Sequence, residues 1–279
     1  MELHTSGEVA PFAAYIKPTQ VDLAVRDFAE GIRSWPLWSN LGWNDIVQRY
    51  RRSLLGPFWL TASMAIMVVA LGIVYARLFK TELREFLPYL CVGLLVWGYT
   101  STTISEAGSL FTGSESYIKQ IRLPYSLYAF RFIWSRIIIL GHNLVIYFGV
   151  LVYFQIWPGF GILLAIPGLI LLTVNLALAS LLVGMLSARF RDIPQIINSV
   201  IQIAFFVTLV IWNPALLGLN SPIVFLNPFF HLLEIVRAPL LGQLFPFTSY
   251  LAVAIITIVN FSISAAFFTR FRHRISYWI

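Results

Sequence analysis

The chain has 279 residues, of which 59% are hydrophobic and 11% are charged, and its formal net charge is +7. A soluble domain carries about 25% charged residues, so this composition excludes an ordinary soluble protein and indicates an integral membrane protein. The basic residues stand at the ends of apolar runs, which favours a role in membrane topology over nucleic-acid binding, and no nucleic-acid partner is expected.

The N-terminal region differs from the rest of the chain. Residues 1–40 are expected to form a cytoplasmic tail that precedes a six-span transmembrane domain at residues 41–279. Residues 1–20 are polar and lack the basic start and apolar core of a cleaved signal peptide. Residues 21–33 are compatible with one short amphipathic helix, which Trp35-Pro36 would interrupt.

An amphipathic helix is predicted directly before the first span. Apolar residues recur there at helical spacing: Trp43, Ile46, Val47, Tyr50 and Leu54. Polar and basic residues occupy the opposite face: Asp45, Gln48, Arg49, Arg51 and Arg52. This pattern is typical of a helix in the membrane interface, with its apolar face in lipid. The alternative is an amphipathic helix that packs against protein.

Six membrane spans of about 20 residues each are predicted, so the fold class is an all-α polytopic membrane protein. The first span follows Gly56-Pro57, because proline suits the first turn of a helix and the preceding arginines are costly to bury in hydrocarbon. The six predicted spans are about residues 57–79, 86–104, 137–156, 161–186, 195–212 and 247–268.

The orientation follows from the nineteen Lys and Arg residues. Only Arg77, Lys80, Arg84 and Arg237 flank one side of the predicted spans, and the other fifteen flank the opposite side. The side richer in basic residues is expected to be cytoplasmic. An even number of spans then places both termini in the cytoplasm.

Two loops on the basic side predict contacts with a soluble partner. Residues 114–126 are amphipathic and stop at Pro124, which favours a short docking helix; the alternative is a basic loop held at lipid headgroups. Residues 188–195 form a tight charged turn between spans four and five. The alternative is that Arg189 and Arg191 only enforce topology while Asp192 caps the next helix.

The segment between spans five and six predicts broken helices. Residues 213–246 are largely apolar but contain five prolines, at positions 214, 222, 228, 239 and 246. An uninterrupted span does not fit, and broken backbone at membrane depth requires surrounding protein or water. Short re-entrant helices in the outer leaflet are therefore predicted, with Glu234 and Arg237 on one helix face. The alternative is an ordinary external loop.

This ordered set resembles the permease subunits of type-2 ABC exporters, in particular those that export O-antigen, capsule or teichoic acid. The resemblance rests on residues 49–59, 118–124, 189–192 and 227–228, and it covers roughly residues 40–270. It implies a homodimer that works with two copies of a separate ATPase in the bacterial inner membrane. Residues 1–40 do not take part in it.

The resemblance also implies roles for individual residues. Contacts with the ATPase are expected at Tyr117, Ile118, Lys119, Gln120, Arg122, Arg189, Arg191 and Asp192. The interface helix would carry Arg49, Arg51 and Arg52. An outer gate would involve Asn227, Pro228, Phe229 and Glu234. Apart from the resemblance, four aromatic rings could stack on sugar along a channel, namely Tyr75, Trp97, Tyr99 and Phe148; the alternative for each is a place in the aromatic belt of the membrane interface or in contact with lipid.

The sequence contains no phosphate-binding loop of the Walker type and no Cys or His pair at metal spacing. No cofactor or metal is therefore expected in this chain, and ATP and Mg would be bound by the partner subunit. His231 near Glu234 is the one arrangement that resembles an acid–base pair. His142 lies inside predicted span three, and a polar residue at membrane depth is a candidate functional residue.

The predicted function is the channel-forming permease of an exporter of lipid-linked polysaccharide, without enzymatic activity of its own. The main alternative is a polytopic membrane enzyme acting on lipid-linked sugars, which would need convergent carboxylates or a metal site. A third possibility is an ion-coupled carrier, which would favour ionisable groups deep in the spans.

Overall fold

The computed structural model describes residues 19–51, 56, 58–212, 225–243 and 246–279, and every regular element in these ranges is a helix. The all-α prediction is confirmed. The α-helices are α1 Gln20–Arg33, α2 Trp35–Tyr50, α3 Phe58–Leu78, α4 Leu83–Glu106, α5 Ser109–Thr112, α6 Glu115–Gln120, α7 Tyr125–Phe154, α8 Ala165–Arg189, α9 Ile193–Val207, α10 Pro228–Leu240, α11 Phe247–Phe271 and α12 Ile275–Trp278. Short 3-10 turns at Phe160–Leu164 and Arg272–Arg274 precede α8 and α12.

Five helices in the described part of the chain are long and apolar enough to cross a membrane. They are α3, α4, α7, α8 with its preceding turn, and α11. Four of them match predicted spans within a few residues. The match is expected because about 20 apolar residues in a helix span the bilayer and satisfy their backbone hydrogen bonds within the helix. The protein is therefore a multi-pass membrane protein.

The third span begins earlier than predicted. Helix α7 starts at Tyr125 rather than near residue 137 and has 30 residues. Its first turns contain Arg131 and Arg136, which lie outside the third span as predicted from the sequence. Both arginines form ion pairs with residues of other helices, so the helix continues through them without leaving a charge unpaired.

The fifth predicted span is a helix of only 15 residues, α9, followed by non-helical chain. The helix ends at Val207, Thr208 is its C-cap residue, and Leu209 adopts a left-handed conformation with φ of 56°. Tyr89 at the start of α4 donates a hydrogen bond to the carbonyl of Trp212 at 2.8 Å. The path from α9 to Trp212 therefore follows α4 but is not one continuous helix, and the count of six spans stays a prediction.

Helix α4 is the central helix of the bundle. It packs against α3, α7, α8, α9 and α10, and most of its residues are buried. Its hydroxyl groups bond to its own backbone, as Thr100 Oγ1 does to the Val96 carbonyl and Thr103 Oγ1 to the Tyr99 carbonyl. Gly93 permits the non-helical chain after α9 to approach, since a Cβ there would lie 2.5 Å from the Val210 carbonyl oxygen.

Helix α10 is a short, almost fully buried helix between α9 and α11. Near its start, the Phe229 ring lies 5.8 Å from the Trp97 ring, and near its end the Arg237 guanidinium lies 4.5 Å from the Tyr89 ring. Trp97 and Tyr89 are about 12 Å apart along α4. Helix α10 therefore runs from inside the bundle to one end of it, as the prediction of short re-entrant helices requires. Residues 213–224 lie outside the described residues.

Helix α1 is tied to the start of α7. The Asp27 carboxylate accepts hydrogen bonds from the backbone N–H groups of Tyr125 and Ser126, at 3.1 and 3.0 Å. It also pairs with Arg272, the residue that follows α11, at 3.4 Å. Asp27 thus caps α7 from a distant element. The boundary near residue 40 stays a prediction, and residues 1–18 lie outside the described residues.

We predict that Asp27→Ala lowers the free energy of unfolding in detergent by about 2 kcal/mol, because α7 loses its cap and Arg272 loses its partner. Chemical unfolding of the purified protein measures the change. Asp22→Ala is the matched control, since the Asp22 carboxylate accepts from the backbone N–H of the N-cap residue Thr19 at the exposed start of α1, and its loss affects only that helix. Equal effects of the two substitutions would contradict the capping role of Asp27.

Candidate coupling surface at the basic end

The described helices bring most of the basic residues to one end of the bundle, here called the basic end. It consists of α1, α2, α5, α6, α12, the first turns of α7 and α9, and the last turns of α8 and α11. Contacts between these elements define it: Asp27 with Arg272, Asp45 with Arg131, Gly108 with Pro194, and Arg189 with Trp278. The opposite end contains Arg237, Tyr89 and Trp212.

A short helix is present in the predicted docking segment: it is α6, with six residues and no buried side chain, and its docking role stays a prediction. Tyr117, Lys119 and Gln120 are exposed, while Ile118 packs against the core. Lys119 pairs with Glu115 one turn earlier at 2.7 Å, and this hydrogen bond and charge hold the pKa of the Glu115 carboxyl below its ordinary value. Arg122 is exposed in the segment that leads to Pro124. The helix therefore presents a polar face to the surroundings.

The second predicted contact lies beside the first. Arg189, Arg191 and Asp192 are all exposed between α8 and α9. The Arg189 guanidinium lies 5.6 Å from the Trp278 ring, so the C-terminal helix supports this turn. Asp192 occupies the cap position of α9, but its side chain accepts no capping hydrogen bond, which leaves the carboxylate available at the surface.

The two regions predicted to contact the partner meet where Gly108 closely approaches the Pro194 ring. A Cβ at Gly108, just before α5, would lie 2.8 Å from Pro194 at the start of α9. Helix α5 packs in turn on α8, where a Cβ at Gly184 would lie 3.1 Å from Leu110. The loop that carries α6 and the turn that carries Arg191 are therefore in direct contact with one another.

A shared ion pair connects three helices at the basic end. Oε2 of Glu106, the last residue of α4, accepts hydrogen bonds from Arg49 of α2 at 3.0 Å and from Arg136 of α7 at 2.7 Å. Arg136 is buried and Glu106 is half-buried. One carboxylate that binds two guanidinium groups fixes α2, α4 and α7 relative to one another.

A second ion pair extends this connection to α6. Arg131 of α7 bonds both carboxylate oxygens of Asp45, at 2.7 and 2.5 Å. The same guanidinium lies 5.3 Å from the centre of the Tyr117 ring, a cation–π distance. Asp45 and Arg49, which the amphipathic pattern assigned to the water-facing side of α2, therefore face the bundle. Both charges are paired within the protein, although the two side chains stay partly exposed.

The remaining residues predicted for the interface helix differ in how they are placed. Arg51 is exposed immediately after α2, and Arg52 lies outside the described residues. On α2, Ile46 is buried while Trp43 and Val47 stay exposed. Helix α2 packs on α7 through this buried side, as the alternative interpretation expected. A position in the lipid interface stays a prediction.

The residues predicted for the outer gate have structural partners. The Asn227 side chain accepts from the backbone N–H of Phe229 at 2.9 Å and so caps α10, whose first residue is Pro228. Glu234 accepts from Arg237 at 2.6 Å, which is the predicted pairing on one helix face. Arg237 is 1% exposed and also donates to the Leu209 carbonyl.

The four predicted channel rings do not share one surface. Tyr99 is buried and its hydroxyl lies 3.1 Å from Thr173 Oγ1 of α8, whereas Phe148 is exposed on α7. Tyr75 is half-buried and stacks on Phe79. Trp97 lines a groove of about 540 Å³ between α4 and α9, here called the α4–α9 groove.

The predicted acid–base pair is not formed. His231 bonds Ser249 Oγ at 3.0 Å and the Phe225 carbonyl at 2.8 Å, while Glu234 bonds Arg237. His142 bonds the Ile138 carbonyl within its own helix. Among the residues that the structure describes, none of the His, Cys, Asp and Glu side chains forms a group of three that could hold a metal ion.

Sequence analysis missed α5, α12 and the partners of Glu106. Each of the two helices has only four residues, too few for a periodic signal. No local pattern joins Glu106 to Arg136, since thirty residues separate them. Their opposite charge beside two apolar runs was the available signal.

These features define a multi-pass helical membrane protein with a polar surface at one end. The chain belongs to the ABC-2 type transporter family, whose pattern matches residues 36–241, and it is a transport permease of that family. A relative is the O-antigen export system permease protein RfbA of Myxococcus xanthus, 27% identical over 175 residues. That match covers 60% of this chain and 65% of the relative, slightly under two thirds of its length.

We predict that Glu106→Gln lowers the free energy of unfolding by about 2 kcal/mol, because Arg136 stays buried without its carboxylate; the half-exposed position of Glu106 keeps the loss below that of a fully buried pair. Chemical unfolding in detergent measures it. Glu115→Gln is the matched control, since it removes an exposed pair on α6 and should leave stability unchanged. A stable Glu106→Gln protein would show that the shared ion pair does not hold the basic end together.

Proposed function

We propose that two copies of this chain form the channel of an exporter for lipid-linked polysaccharide, driven by a separate ATPase subunit. The observation that carries the proposal is α6, an exposed polar helix held against the spans by Ile118 and Arg131. Family membership supports the ATPase partner, and the relative named for O-antigen export supports a polysaccharide cargo.

The coupling mechanism that we propose is mechanical. Two ATPase subunits bind ATP and Mg, and their closure displaces α6 and the turn with Arg189, Arg191 and Asp192. Because Arg131 joins Tyr117 to Asp45, and Glu106 joins α2, α4 and α7, the displaced helices move as one unit. Nucleotide can shift the equilibrium only through different contacts with the two states of the permease.

The cargo pathway that we propose follows the α4–α9 groove. One wall carries the hydroxyl groups of Ser101, Thr102 and Ser105, and the other carries Gln202 and Phe205. Ser101 and Thr102 donate to the Gly98 carbonyl, which leaves their oxygens free to accept hydrogen bonds from sugar hydroxyls. The Trp97 ring, 5.8 Å from the Phe205 ring, adds an aromatic surface that suits sugar C–H faces.

The topology that we propose places the basic end in the cytoplasm and the chain in the bacterial inner membrane, with both termini on the cytoplasmic side. The excess of Lys and Arg at the basic end supports this orientation. The outer gate would then be formed by α10 together with its N-cap residue Asn227. The permease itself binds neither nucleotide nor metal in this proposal.

The alternative function, a membrane enzyme acting on lipid-linked sugars, has less support. Such an enzyme needs convergent carboxylates that are free to take part in proton transfer. The described carboxylates within the bundle, Asp45, Glu106 and Glu234, each bind an arginine. His231 and Glu234 have separate partners.

We predict that the double substitution Lys119→Glu and Arg122→Glu abolishes export and association with the ATPase, because it reverses the charge of the docking surface. The protein should still accumulate in the membrane, since both side chains are exposed. Co-purification with the ATPase and an export assay in cells provide the two measurements. Lys80→Glu with Arg84→Glu is the matched control, because it reverses two exposed charges at the opposite end.

Wild-type export and ATPase association in the Lys119→Glu, Arg122→Glu protein would overturn coupling through α6. Loss of association in the Lys80→Glu, Arg84→Glu protein would show that net charge, rather than the docking surface, is responsible.

We predict that Thr102→Trp reduces export at least about tenfold while ATPase association is retained, because an indole ring fills the α4–α9 groove. Thr102 is exposed in the single chain, so the larger side chain does not disturb the buried side of α4. Val145→Trp, at an exposed apolar position of α7, is the control for adding an indole elsewhere. Unchanged export in the Thr102→Trp protein would place the cargo pathway elsewhere.

A further inference from the structure

A cavity of about 290 Å³ lies within the basic end, between α2, the α4–α5 junction and the first turns of α7. Its inner wall includes Tyr128, Arg131 and Arg136, and its mouth includes the exposed residues Gln48, Arg49 and Ser109. One water occupies about 30 Å³ of liquid, so the cavity has several times the volume of a water molecule and can admit a small polar ligand.

The inner wall presents hydrogen-bond donors that no described residue uses. The Tyr128 hydroxyl, the Arg131 Nη1 and the Arg136 Nε are buried and have no hydrogen-bond partner. Tyr128 is 1% exposed and Arg136 is 6% exposed. Buried polar atoms normally have partners, because each one left alone costs free energy. These three unused donors belong to residues that line the cavity, so a ligand that reaches them would supply the missing acceptors.

The charge around the cavity favours an anion. Three arginines, at positions 49, 131 and 136, face two carboxylates, Asp45 and Glu106. Both carboxylates are already bound: Asp45 by Arg131, and Glu106 by Arg49 and Arg136. One positive charge remains in excess, and guanidinium groups with free N–H donors bind phosphate oxygens well.

We propose that this cavity is a binding site for a phosphate group, with Tyr128, Arg131 and Arg136 as its donors. The phosphate would enter past the half-exposed Arg49, at the end of the bundle where lipid headgroups and water both have access. Its source is either the headgroup of a membrane phospholipid or free phosphate. The chemistry of recognition is the same for both.

Occupancy of the site would affect the contact surface for the partner. The cavity wall includes Ser114, the residue immediately before α6, together with Arg49 of α2 and Arg136 of α7. A phosphate bound there would add contacts between the same helices that Glu106 joins. We infer that the bound anion stiffens the connection between α6 and the membrane spans.

The first test uses the purified full-length chain in an uncharged detergent. Inorganic phosphate, added at constant ionic strength against chloride, should raise the midpoint of thermal unfolding in a saturable manner. Tyr128→Phe removes only the hydroxyl and should weaken the apparent affinity about tenfold, the effect of one hydrogen bond to a charged group. Tyr153→Phe, at an exposed position, is the matched control and should keep wild-type affinity.

A second substitution helps to separate a loss of phosphate binding from a loss of folding stability. Arg131→Lys keeps the positive charge beside Asp45 but removes the planar group that carries Nη1. It should weaken phosphate binding by a similar factor. Tyr128→Phe should unfold at the wild-type midpoint without phosphate, because its hydroxyl has no protein partner to lose.

A second experiment distinguishes the sources of the phosphate. Native mass spectrometry of the same protein compares retention of phosphatidylglycerol with retention of a galactosyl diacylglycerol, which has no phosphate. Selective phosphatidylglycerol retention that Tyr128→Phe weakens supports the site with a lipid source. Saturable stabilisation by inorganic phosphate without lipid retention supports the site with a soluble source.

Two results would overturn the proposal. One is equal stabilisation of the wild-type chain by chloride and by phosphate, together with equal retention of both lipids. The other is wild-type affinity of the Tyr128→Phe and Arg131→Lys proteins for phosphate and lipid. Either would mean that the cavity holds only water. Neither experiment involves the ATPase or export, so the outcome is independent of the proposed transport function.

Discussion

The shared ion pair of Glu106 with Arg49 and Arg136 is the constraint on which the basic end depends. Hydrocarbon excludes unpaired charge, so an arginine that is buried within the helix bundle requires a partner there. Glu106 ends α4, Arg136 lies about three turns inside α7, and Arg49 lies in the last turn of α2. Helix α2 is thereby connected to the central helix α4, and movement of either one must be shared or must break the pair.

The opposite end uses the same physical principle with different groups. Arg237 is buried, and Glu234, the Leu209 carbonyl and the Tyr89 ring satisfy it. This allows the short helix α10 and the non-helical chain after α9 to lie against α4. Between the two ends, α8 and α11 are joined by neutral hydrogen bonds, such as Asn175 to Thr257 at 2.7 Å. Charged contacts therefore fix the ends, and packing with neutral polar contacts fixes the middle.

The sequence predicts what depends on local patterns. Apolar length locates α3, α4, α8 and α11, a proline and a polar stretch locate α6, and spacing predicts the pair of Glu234 and Arg237. The start of α7 and the end of α9 could not be predicted, because each depends on a partner distant in sequence. Asp27, which caps α7, is 99 residues from Ser126. The shared ion pair of Glu106 and the cavity beside Tyr128 could not be predicted for the same reason.

The two proposed contacts with the ATPase cannot act independently in this structure. Gly108 directly precedes α5 and leaves no room for a side chain beside Pro194. Helix α5 packs on α8 at Gly184. A force on α6 or on the turn at Arg191 therefore reaches the same junction, two residues from Glu106. The junction connects to α2 and α7 through the arginines of Glu106. A partner that contacts only one of the two elements would still move both, so the second contact serves alignment of the partner more than transmission of force.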